Sequence, residues 1–309
     1  MTDEAPFRGL RVGTAGWSYG DWNGVVYPAA PPRGFDALAF QASLFDMNEV
    51  NSTFYRIPDA RMTRSWARRV AYNPRFTFAV KLYQGFTHAR DAGEKEKTAF
   101  RRALEPLEEA GRLGAVLVQL PVSFRSGEEN RERLDRTLEC LAGLPLAVEF
   151  RHASWDRPDT VALLTERGAA FVNIDQPWLG ENLRATNHRE GPLAYYRFHG
   201  RNAAEWFSPN TTVEKRYDYL YAEKELAPWA ERIAETLREE PEKPTYAVMN
   251  NHFRGQAVAN AIQLRHALTG EGASVPETLL RAYPALAGSA TAAAPPRARG
   301  AAAAQRKLF

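Results

Sequence analysis

The chain has 309 residues, 44% hydrophobic and 25% charged, the balance of an ordinary globular protein, and no apolar run in it is long enough to cross a bilayer. Its formal charge of +3 is set by its end, because residues 289–309 carry Arg297, Arg299, Arg306 and Lys307 and no acid, which leaves the rest at −1. A body so near neutrality excludes a polycation that binds nucleic acid through bulk charge, so any anion site must be a local cluster. The start, MTDEAPFRGLRVG, lacks the apolar core of a secretory signal, and the cytoplasm is the expected compartment. The one cysteine, Cys140, lies in a helical pattern and has no partner for an internal disulfide, so its expected role is packing.

In chain order, apolar runs of strand length alternate with segments of helical period. LRVGTAG (10–16) precedes the helix DALAFQASLF (36–45), and DMNEVNSTFY (46–55) precedes ARMTRSWARRVA (60–71). FTFAVKLY (76–83) is followed by a long amphipathic segment over 94–113, and AVLVQLP (115–121) by ENRERLDRTLECLAGL (129–144). LAVEFR (146–151) and AAFVNID (169–175) flank DRPDTVALLTERG (156–168). Residues 176–192 then read as an irregular excursion before AYYRFHG (194–200), a helix over 225–240, TYAVMNN (245–251) and a last helix over 255–270. Eight strands, each followed by a crossover, predict a single-domain (β/α)8 TIM barrel over residues 8–270 rather than an open sheet. A C-terminal extension over 271–288 and a disordered Ala/Pro-rich tail over 289–309 are expected to follow.

Successive strand side chains point to opposite faces, so each run divides into two sets. Glu149 and Arg151 share one face of the fifth strand, and Arg197 and His199 one face of the seventh. Lys81, Gln119 and Asn250 are the polar members of theirs; the second strand aligns Glu49, Asn51, Thr53 and Tyr55, and the sixth Asn173 and Asp175. Outer faces are covered by helices, where a charge would be stranded, whereas the inner face opens at the carboxyl end of the barrel. The polar sets are therefore expected to converge there. A buried ion-pair network that only fixes the barrel is the competing explanation.

Taken in order, GTAGWSY, EVNSTFY, FAVKL, VQLPVSF, VEFRHASW, YYRFHGR and NNHFRGQAVANA resemble the YecE-like family, a bacterial and archaeal domain of unknown function, across roughly residues 8–270. The resemblance implies a TIM barrel and maps the family's motif positions onto Glu49, Asn51, Lys81, Gln119, Glu149, Arg151, Arg197, His199, Asn250 and Asn251. It supplies no activity. Where the family often has a small polar or acidic residue after the two asparagines, this chain has His252.

Lys81, Arg151 and Arg197 aimed at one cavity suggest an anionic, phosphate-containing ligand, with DNA or RNA among the candidates. Glu149 and Glu49 suit a general base or the carboxylates for Mg2+ or Mn2+, and His199 a proton shuttle. The scattered histidines do not suit a zinc cluster. Asn51, Gln119, Asn250, Tyr55 and Trp17 are the expected substrate contacts. Trp22, Trp155, Trp178, Trp206 and Phe207 also cluster after strand ends, where aromatics either stack on a ligand or simply line loops. The last residues, QRKLF, place Gln305 before Leu308 and Phe309 and look like the short peptide by which polymerases and repair proteins dock on a replication sliding clamp. Three readings stay open: a metal-assisted phosphodiester hydrolase, a sugar-phosphate isomerase or epimerase using Lys81 as base or Schiff-base nucleophile, and a non-catalytic binder.

Overall fold

A computed structural model describes residues 7–206 and 213–293. Eight parallel strands close into a barrel in chain order, with the first paired to the last: β1 Leu10–Ala15, β2 Met47–Val50, β3 Thr77–Lys81, β4 Leu113–Gln119, β5 Leu146–Glu149, β6 Ala169–Asp175, β7 Ala194–Phe198 and β8 Thr245–Met249. The helices are α1 Ala37–Leu44, α2 Ala60–Arg69, α3 Gln84–Thr87, α4 Glu94–Glu109, α5 Glu128–Cys140, α6 Pro158–Glu166, α7 Ala203–Trp206, α8 Val213–Arg216, α9 Glu223–Glu239, α10 Gln256–Thr269 and α11 Glu277–Ala282. No helix among the described residues is long and apolar enough to span a membrane.

Burial on both faces explains why β6, AAFVNID, is buried at every position instead of alternating. Outside, two apolar clusters under the helices hold the barrel. One centres on Phe76, Phe78, Phe100, Phe150 and Trp155, the other on Trp22, Phe198, Trp229 and Ile233. Helix starts follow local chemistry: the Asp36 carboxylate caps α1 by accepting the Ala39 N–H at 3.0 Å, and Pro158 opens α6, where its missing N–H leaves no gap.

Small residues make room inside. Gly13, Ala15, Ala79, Ala115, Ala147 and Ala170 share the inward parity of the large Tyr195, Arg197 and Tyr246. Gly13 leaves β1 close against β2, since a Cβ there would meet the Met47 carbonyl oxygen at 2.1 Å. A side chain at Gly114 would strike the Tyr246 hydroxyl at 2.8 Å, which shows how far that ring reaches across the interior.

The structure changes three expectations. The second strand stops at Val50, and Ser52–Phe54 turn as a 3-10 helix, so Asn51, Thr53 and Tyr55 sit on a turn rather than along one strand face. In β6 the polar set faces outward. Ile174 pairs in register with the inward Arg197, whereas Asn173 contacts the 186–188 segment and Asp175 accepts from Trp229 Nε1 at 2.7 Å on α9. Finally, Ala290–Ala293, within the segment expected to be disordered, form β10, which pairs in parallel with β9, Ala273–Pro276. Gln305, Leu308 and Phe309 lie outside the described residues.

Replacing Gly13 with alanine forces β1 away from β2 and should destabilise the barrel by about 1–3 kcal/mol, the usual scale of overpacking. Urea unfolding checks this, and an unchanged midpoint would contradict the packing described.

Candidate functional site

At the carboxyl end of the strands a cavity of about 620 Å³ is lined by Trp17, Tyr19, Asn51, Tyr55, Lys81, Gln119, Arg197, Asn250 and His252, with Ser18, Asp21 and Tyr217 at its edge. Parity sends these residues here. Lys81 ends β3, Gln119 ends β4 beside Glu149 in register, and Arg197 occupies the inner face of β7.

Below the cavity Arg197 is enclosed. Its side chain is 2% exposed, and the Glu49 and Glu149 side chains are at 0%. Arg197 Nη2 donates to Glu49 Oε1 at 2.6 Å, Nε to Glu49 Oε2 at 2.9 Å, and Nη1 to Glu149 Oε2 at 3.0 Å. The Tyr195 hydroxyl adds a bond to Glu49 Oε2 at 2.7 Å. Arg151 pairs with the other oxygen of Glu149, Nε to Oε1 at 2.6 Å, and donates to Gln176 Oε1 at 2.8 Å. His199 lies within this set, its Nδ1 accepting from Asn250 Nδ2 at 3.0 Å and its Nε2 standing 3.3 Å from Glu149 Oε1.

These contacts fix protonation. Burial alone would raise the Glu149 carboxyl, but Arg151 and Arg197 outweigh it and hold it well below the carboxylate range. Burial and the Arg151 charge push His199 down to about 3, so the ring is neutral near pH 7. Lys81 is pushed down to about 7 by burial and by the Arg197 charge. Two carboxylates thus face two guanidiniums, and Lys81 is the surplus base. Among the described residues its Nζ has neither ion pair nor hydrogen bond and sits 4.0 Å from the centroid of the Phe54 ring.

Several expected roles change. Arg197 is saturated by protein carboxylates and is not a free phosphate clamp. Glu49 and Glu149 are counterions to Arg197, and Glu149 is held as an anion too firmly to serve readily as a general base. His199 is buried and neutral, so it anchors the network instead of shuttling protons to solvent. Lys81, Gln119, Asn51, Asn250, Tyr55 and Trp17 do meet at the cavity, and Tyr55 is 71% exposed. Trp22 and Trp155 are core residues, fully buried, with their N–H groups bonded to the His252 and Phe124 carbonyls. Trp178 is exposed and stacks under Arg184. The Trp206 side chain and Phe207 fall outside what the structure describes. Both interior glutamates pair with arginines, and no three His, Cys, Asp or Glu side chains gather as a metal-ligand set among the described residues.

Sequence reasoning missed Tyr195, although its parity with Arg197 on β7 was available. It also missed the Tyr19–His252–Tyr217 stack, with ring centroids 4.4 and 4.9 Å apart, because loop residues carry no strand parity.

A model of the family described as protein of unknown function DUF72 matches residues 11–284. The chain belongs to the DUF72 family. It is 31% identical over 275 residues to the UPF0759 protein YunF of Bacillus subtilis (strain 168), covering 82% of this chain and 93% of that protein. A DUF72 protein from Thermotoga maritima has a similar crystal structure, with a TM-score of 0.72, 37% identity, and coverage of 84% of this chain and 98% of that one. The corresponding values for a DUF72 protein from Enterococcus faecalis are 0.72, 26%, 84% and 94%. The match reaches beyond residue 270, so the DUF72 unit includes most of the C-terminal extension that packs through Thr278 and Tyr283 onto the mouth loops at Val25 and Arg254.

Two outcomes follow. Glu49→Gln leaves Arg197 short of a counterion in the interior and should cost about 3–5 kcal/mol in urea unfolding, while Glu49→Gln with Arg197→Met should recover part of the loss; a double variant no better than the single would contradict the pairing. His199 stays neutral when folded but takes a proton below about 6.5 when unfolded, so it makes stability fall as pH drops from there towards about 3. His199→Gln should flatten that part of the stability profile, and an unaltered slope would show that His199 is not the group responsible.

Proposed function

We propose that the protein is an enzyme whose Lys81 amine acts on a small carbonyl compound bound in the barrel mouth. The observation that carries this reading is the placement of Lys81 Nζ at a cavity of about 620 Å³ with no carboxylate or amide partner. An amine of ordinary basicity is neutral in about one molecule in 2,500 at pH 7. With its pKa near 7, about half of Lys81 is neutral there and has a free electron pair. Desolvation beside cationic groups is the usual means of preparing such a lysine.

The chemistry balances within the site. The amine attacks a carbonyl carbon to give a carbinolamine, proton transfer and loss of water give a protonated imine, and that imine draws electrons from the neighbouring C–H or C–C bond. Burial, with Arg197 and more weakly Arg151 acting against the opposing pull of Glu149 and Glu49, keeps the amine's pKa low. Gln119 is placed to bond the substrate. Metal-assisted phosphodiester hydrolysis has less support, since both interior arginines are neutralised and the glutamates offer no free ligand set.

Incubation with small aldehydes and ketoses followed by borohydride should leave a reduced secondary amine on Lys81, identified by peptide mass spectrometry. The trapping rate should rise with pH through about 7 as the amine deprotonates. Lys81→Met should abolish the adduct while the protein remains folded. Labelling of Lys81 no greater than that of surface lysines would refute the reading.

A further inference from the structure

We infer that the mouth takes a monosaccharide-sized, polyhydroxylated ligand. The inference deepens the reading above and rests on it only for the location of the site. Its evidence is the pattern of polar groups left unsatisfied. Asn51, Lys81 and Gln119 stand on or just after the consecutive strands β2, β3 and β4 and all line the cavity. The Gln119 amide makes no hydrogen bond among the described residues. Asn51 gives its Nδ2 to Asn250 Oδ1 at 3.5 Å, and its own Oδ1 is buried without a donor. An unmet buried acceptor costs about 1–3 kcal/mol, so a bound group that donates there has an energetic reason to stay.

Each carboxamide both donates and accepts, which matches a hydroxyl better than it matches an anion. Charge narrows the class further. With the interior carboxylates and guanidiniums balanced, Lys81 is the one Lys or Arg among the described residues lining the cavity that has no carboxylate partner, far short of the several cations that a polyphosphate or nucleic-acid backbone needs. A purely apolar ligand would leave the amides stranded. The cavity of about 620 Å³ lies within the range of about 300–1,000 Å³ common to small-molecule sites.

The walls are aromatic. Tyr55 is 71% exposed at the rim, an unusual position for a large ring with no core to join, and Trp17 lines the cavity with it. Ring faces carry partial negative charge and attract the C–H faces of a sugar, while its hydroxyls turn to the amides. Amides, one amine and flat aromatic faces together make a site for a neutral or singly charged sugar.

Saturation-transfer NMR on the full chain with D-glucose, D-fructose, D-xylose and sorbitol tests this. Sorbitol has no carbonyl, so its binding does not depend on amine chemistry. Sorbitol and at least one of the sugars should receive saturation at their carbon-bound protons, in the wild type and in Lys81→Met. Gln119→Leu and Tyr55→Ala should each weaken binding by about five- to tenfold, with melting temperatures close to wild type. Absence of transfer to all four probes, or binding by Gln119→Leu and Tyr55→Ala as strong as by the wild type, would overturn the inference. Trapping of butanal on Lys81 without sugar binding would sink this inference and leave the amine reading intact. Sugar binding without any Lys81 adduct would do the reverse.

Discussion

Arg197 is a guanidinium enclosed by barrel strands, and an isolated charge in such a place would be prohibitively desolvated. Its stability there depends on Glu49 from β2 and Glu149 from β5, which grip it from separate parts of the ring. Much else follows from holding that side chain. The interior must supply small neighbours on several strands, and Tyr195 must complete the coordination of Glu49. Glu149, still short of charge balance, recruits Arg151, and the neutral His199 ring fills the space between them. Hydrophobic interiors of similar volume are often at least as stable as buried ion pairs, so the network is best understood through what it does at the mouth.

Its consequence there is electrostatic. Burial weighs most on Lys81, and Arg197 and Arg151 lower its basicity further against the opposing pull of Glu149 and Glu49, while no carboxylate among the described residues pairs with it. The ammonium is therefore the least favoured charge in the region. An interior built to neutralise its arginines leaves one basic side chain among the described residues to lose its proton, and that side chain lines the cavity at the strand ends.

The barrel was legible because parallel strands buried on both faces leave strong apolar runs, and helices between them keep a 3.6-residue period. Inward parity was legible for Lys81, Gln119, Glu149 and Arg197, where the strand geometry persists to the residue concerned. It failed for Asn51 and Tyr55, because the chain leaves β2 for a 3-10 turn at Ser52 and the alternation ends there. It failed for Asn173 and Asp175 because polarity alone cannot say which face is inner. Their hydrogen bonds to an irregular segment and to α9 make an outward polar face affordable. The distinction between a cation that is free and one that is neutralised was not legible at all. Lys81 and Arg197 look alike in the sequence, and only the distances separate the surplus base from the saturated one.

The most direct test of the account is the proton affinity of Lys81 itself. Isotope-labelled lysine Cε and Nζ resonances, assigned with Lys81→Met and followed by NMR across pH, should show one lysine titrating near pH 7. A Lys81 midpoint near 10.4, the value of an unperturbed lysine, would mean that burial beside the network does not lower its basicity and that the mouth carries an ordinary ammonium.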